Sequence, residues 1–90
     1  MKVVKDKIEI VELQDMTKRM YENLVKAVVD IEKKIMAVDA EMHVDLEQLL
    51  IEKGNCEPKD LWGINIHPDL VGENFIELFD LPILILTVKH

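Results

Sequence analysis

An α+β fold is predicted here, an antiparallel β-sheet with two helices packed on one face, and three features of the sequence predict it. Residues 25–42 are rich in Val and Ile and alternate along the chain, the pattern of a strand hairpin. Residues 10–23 and 46–53 space their apolar side chains three and four apart, the period of a helix. Residues 61–67 and 75–88 are further strand material. The chain has 90 residues, enough for a single domain over 1–90 with one core.

Taken in order, Lys2 to Lys5 reads as a short strand that Asp6 and Lys7 break. Leu13, Met16, Met20 and Leu24 then form one helical stripe, with Asp15, Lys18, Arg19 and Glu22 opposite. No preferred capping residue precedes it. From Val25 the period changes to two. Val25, Ala27, Val29 and Ile31 share one side, and Lys26, Val28, Asp30 and Glu32 the other. The β-branched residues in this stretch argue against one long helix. Strands over 25–32 and 35–42 follow, with a turn near Lys33.

Asp45 and Gln48 have the spacing of a capping box, and Val44 can staple onto Leu49. Leu46, Leu49 and Leu50 are the buried stripe of that helix, and Gly54 supplies its left-handed stop. In the strand 61–67, Trp62, Ile64 and Ile66 face one way and Gly63, Asn65 and His67 the other. Pro82 interrupts the last strand material and marks an edge or a bulge. An apolar edge of that kind invites pairing, so a homodimer is expected.

Composition excludes several classes. The formal charge is −7, which disfavours nucleic acid as a partner. The longest apolar run, near the C-terminus, is too short to span a bilayer, and the N-terminus lacks the apolar core of a signal peptide. A cytoplasmic protein without membrane contact is expected. The Lys and Glu bias resembles that of thermophile surfaces. There is no serine, so no Ser–His–Asp set exists, and no phosphate-binding loop or dinucleotide fingerprint occurs. The single cysteine, Cys56, rules out an internal disulfide. It lies in loop sequence with nothing near it to lower its pKa.

Two groups of residues carry what chemistry there is. In "DAEMHVD", Asp39, Glu41, His43 and Asp45 fall at alternate positions. On a strand they would lie on one side, about 6.5–7 Å apart. Asp39, Glu41 and His43, with His67 from the neighbouring strand, are then a candidate site for a divalent metal. That site would activate water in a hydrolase-like enzyme. The plainer reading, which weighs more, is the wet face of a strand with Asp45 as a helix cap. Trp62, Asn65 and Asp30 are candidates for a small ligand pocket. If Asp30 is buried in its apolar strand, its pKa rises and it becomes a candidate base. If Trp62 is core, it packs against the helices.

The words "KAVVD", "IMAVDAEMHVD", "LWGIN" and "FIE", in this order, resemble a family of small prokaryotic proteins known only as a domain of unknown function. The resemblance spans residues 1–77. It implies no activity, cofactor or partner, and no catalytic residue is carried over. After "FIE" the family continues into a strand ending Ile-Arg-Pro and a polar segment bearing Asn and Arg. This chain reads "LFDLPILILTVKH" instead, which implies either a frameshifted or a true alternative ending. The expectation for function is a non-catalytic interaction or structural module, with the metal enzyme as its alternative.

Overall fold

The computed structural model describes residues 1–20 and 23–78. In chain order the regular elements are β1 (Lys2–Val4), α1 (Ile10–Met20), β2 (Val25–Asp30), β3 (Ile35–Val38), α2 (His43–Gly54), β4 (Leu61–Ile66) and β5 (Ile76–Leu78). The strands form one five-stranded sheet in the order β1-β3-β2-β4-β5. Every neighbouring pair is antiparallel. The predicted α+β fold with an antiparallel sheet is the fold observed. The strand expected over 75–88 is seen as Ile76–Leu78, and its remainder, with Pro82, lies outside the described residues.

The helices do not share a face. Val25, Ala27, Val38, Ile64 and Ile66 pack with Leu13 and Met16 of α1. Val28, Ala37 and Leu61, which point the other way, pack with Leu46 and Leu50 of α2. The topology explains this correction. Helix α1 crosses from β1 over β3 to β2, and α2 crosses from β3 over β2 to β4. Both crossovers step the same way across the sheet, but the strands they join run in opposite directions. With the right-handed crossover that parallel strands favour, the two helices land on opposite faces. The central strands therefore need apolar residues on both sides, and β2 has them.

Three element boundaries also differ from expectation. Strand β3 ends at Val38, because Asp39 takes a left-handed backbone with φ of 75°. Helix α2 starts at His43, three residues earlier than a cap at Asp45 would set it, and Met42 at its N-cap makes no side-chain bond. Asp45 sits inside the first turn, where a carboxylate favours the helix dipole without capping. At the other end Asn55, with φ of 54°, is the left-handed residue, and its N–H bonds to the Leu50 carbonyl. Gly54 has a different reason to be small. A Cβ there would meet Cys56 Sγ at 3.2 Å and Ile35 Cδ1 at 3.3 Å.

Asn tolerates the left-handed region better than other residues with a Cβ. Asn55→Val should therefore lower stability by about 1–2 kcal/mol, while Asn55→Gly should leave it equal or slightly higher. Urea unfolding of the two variants checks this.

Candidate functional site

Of the buried polar residues, Asp30, His43 and Asn65 gather on the α2 face of the sheet, at its two ends, while Thr17 lies on α1 and Asp39 pairs with it. At one end is Asp30, the last residue of β2, which is fully buried. Its Oδ1 accepts from the backbone N–H of Glu32 and of Lys33, each at 2.8 Å. Its own carbonyl accepts from Lys34 N–H at 2.9 Å. This is the turn an Asp makes when its side chain substitutes for backbone. Burial pushes the Asp30 carboxyl up, but the Cys56 thiol, the two turn amides and Lys33 together outweigh it and hold the pKa below the ordinary value. The expectation of a raised, base-like pKa is overturned: hydrogen bonds to the charged form prevail over desolvation.

Cys56 is the other half of this pair. It is in loop sequence, as expected, but buried. Burial and the neighbouring Asp30 carboxylate push its thiol up to about 12. A thiol held protonated is a poor nucleophile and a poor metal ligand.

At the opposite end, Lys26 on β2 pairs in register with Asn65 on β4. Above them sits His43, the first residue of α2. Its ring is buried, and Nε2 lies 2.8 Å from the Ile64 carbonyl oxygen. A carbonyl only accepts, so Nε2 carries the proton. Burial lowers the His43 pKa first of all; Lys26 adds to that, while the bonds to Ile64 and Asn65 oppose it. The net direction is down, so the ring is neutral at pH 7.

The predicted metal set does not assemble. Asp39 leaves the strand and turns its carboxylate to Arg19 of α1, with Arg19 Nη2 at 3.0 Å from Oδ2. Glu41 is exposed on a bend. His43 points into the interior, and His67 lies in the loop after β4, its backbone N–H bonded to the Phe75 carbonyl. Among the described residues no three His, Cys, Asp or Glu side chains come together as a metal-holding group. The alternation that suggested the site needs an extended chain, and the stretch is a left-handed residue, a bend and a helix start.

The predicted ligand pocket is divided as well. Trp62 faces the α1 side, whereas Asp30 and Asn65 face the α2 side, at opposite ends of the β2–β4 pairing. Sequence reasoning missed Lys26 and Cys56 as interior partners. Cys56 is 26 positions from Asp30 along the chain, and no local pattern joins them.

A family model described as "Protein of unknown function (DUF5674)" matches residues 2–81. The chain belongs to the DUF5674 family. The resemblance read over residues 1–77 is to such an uncharacterised family, and the DUF5674 match reaches residue 81. No curated protein and no solved structure matches the chain. Among the described residues of this DUF5674 member, no helix is long and apolar enough to cross a membrane.

A His with a lowered folded pKa contributes stability above its unfolded value, and that contribution is lost as pH falls. Wild type should lose stability below pH about 6.5, and His43→Gln should flatten that part of the pH profile. Thermal melts from pH 5 to 8 measure it. Cys56 should react with a disulfide reagent at least about 100-fold more slowly in the native state than in urea, since the reactive thiolate is suppressed. A fast native reaction would contradict its burial.

Proposed function

We propose that this protein is a non-catalytic interaction module that acts in the cytoplasm as a homodimer. One observation carries the reading: the polar side chains that the sequence offers for chemistry serve the fold itself. Asp30 caps a turn, Asp39 pairs with Arg19, and His43 bonds a strand carbonyl. A catalytic group must reach a substrate, with its proton or lone pair available in a cleft. These three groups are buried and face inward. The overall negative charge supports a protein partner over nucleic acid.

The alternative, a divalent-metal hydrolase using Asp39, Glu41, His43 and His67, has no supporting geometry. It still makes a distinct demand on experiment. A metal that binds only the native state raises stability by RT ln(1 + [L]/Kd), about 2.7 kcal/mol at one hundred times Kd. Melting curves with chelator, and then with added Zn, Mn or Ni, should coincide. A rise with one metal that disappears in His43→Ala would replace the interaction reading with the enzyme.

A further inference from the structure

Helix α1 covers only part of its face of the sheet. It is an 11-residue helix, about 16 Å long, and Leu13 and Met16 pack over Ala27, Val38 and Ile64. The next row of side chains on that face is Val4, Met36, Val29 and Trp62. Register partners place these four side by side across β1, β3, β2 and β4. Val4 is buried, but Met36, Val29 and Trp62 are only half-buried. Beyond the row Ile31 is 55% exposed. Val4, Val29, Ile31 and Met36 line an open groove of about 370 Å³. Trp62 Nε1, at the end of the row, is buried and has no hydrogen-bond partner among the described residues.

We propose that a second copy of this chain covers the groove, forming an isologous dimer in which the two half-buried rows meet face to face. The proposal rests on the interaction-module reading and names its surface. Two observations select a second copy. The first is shape. Helix α1 stands about 10 Å above the sheet on one side of the row, and Ile8, in the connection that leads to it from β1, packs against the same cluster. A two-fold axis along the row puts the second α1 on the other side. Each helix then fills the step beyond its partner's sheet, so the half-covered face is its own complement.

The second is charge. Two chains of −7 repel unless they meet where acid is scarce. The charges lining this groove are the exposed Lys5, Asp6 and Lys34 and the buried Asp30, which balance, so no net negative charge meets its copy there. The aliphatic stems of the two lysines extend the apolar surface. The competing patch is Ile10 and Val11 of α1 beside Leu70 and Val71, brought together by the Gln14–Asp69 hydrogen bond. It is bordered by Glu9, Asp69 and Glu73, all exposed, and two copies would repel there.

The test is sedimentation equilibrium of the full chain, with emission of its single Trp followed on dilution. The axis along the row sets Trp62 against its own copy, so dissociation should shift emission to the red. Wild type should be dimeric at about 100 μM. Ile31→Asp, at a position exposed in the single chain, should weaken the dimer at least about tenfold with circular dichroism unchanged. Val11→Asp, on the acidic patch, should not. A wild-type chain that stays monomeric overturns the proposal, and with it the homodimer of the proposed function. A dimer that Ile31→Asp leaves intact overturns it too, while sparing the interaction reading, whose own failure appears as a metal-dependent melting shift.

Discussion

The Asp30 carboxylate is the contact on which most of this fold converges. It is fully buried, yet its neighbours hold it ionised. Three stretches of chain meet there. Its Oδ1 takes up the turn amides that lead from β2 to β3. Its carboxyl meets Cys56, just after α2. Its residue pairs in register with Leu61 at the start of β4, and the next N–H, of Ile31, bonds to the Asp60 carbonyl at 3.0 Å. A buried charge without partners would cost several kcal/mol. With these partners it fixes the turn, the exit from α2 and the β4 register at once. Loss of the side chain would leave two turn amides short of an acceptor, a penalty of roughly 1–3 kcal/mol each where they are shielded from water.

Strand β2 is the second constraint. It is central, so both its faces must be covered, and its sequence VKAVVD meets that demand unevenly. The α1 face receives Val25, Ala27 and Val29. The α2 face receives one valine, Val28, between Lys26 and Asp30. Polar residues at both ends of that face then need partners, which α2 and the loops around it supply. This is why Asp30, His43 and Asn65 lie on one side of the sheet, with Asp30 Oδ1 and His43 Nε2 bonded to backbone. The features that resemble an active site from their residue types are anchors for a helix.

Much of this was legible in the sequence because the period of two in β2 and β4 is undisturbed. It assigned Val25, Ala27 and Val29 to one face and Trp62, Ile64 and Ile66 to one face, and the structure places both sets together. Leu13 and Met16 were legible from helical spacing, and Leu46 and Leu50 likewise. The side on which each helix packs was not legible. It depends on strand order, which no local pattern encodes. The candidate site failed for a more local reason. Alternation in "DAEMHVD" persists in the sequence although the backbone leaves the strand at Asp39. A left-handed residue that is not glycine gives little warning, and Asp is among the few that accept it. The Asp30–Cys56 contact is long-range and had no sequence signal.

The two faces of the sheet are therefore held by different physics. Helix α2 is pinned at both ends by polar contacts, His43 to the Ile64 carbonyl at its start and Asp30 with Cys56 near its exit, and its middle buries Leu46 and Leu50 completely. Such a helix has one seat, because sliding it would strand buried polar groups. Helix α1 meets one buried carboxylate, Asp39, but through Arg19, whose guanidinium stays in solvent. Its ion pairs, Lys2–Glu12 and Arg19–Asp39, involve exposed cations and contribute little, at most about 1 kcal/mol each. It is held mainly by Leu13 and Met16, and it stops short of the row from Val4 to Trp62. The closed face is where specificity of folding is concentrated. The open face is where half-buried apolar surface remains, and it lies apart from the contacts that define the fold.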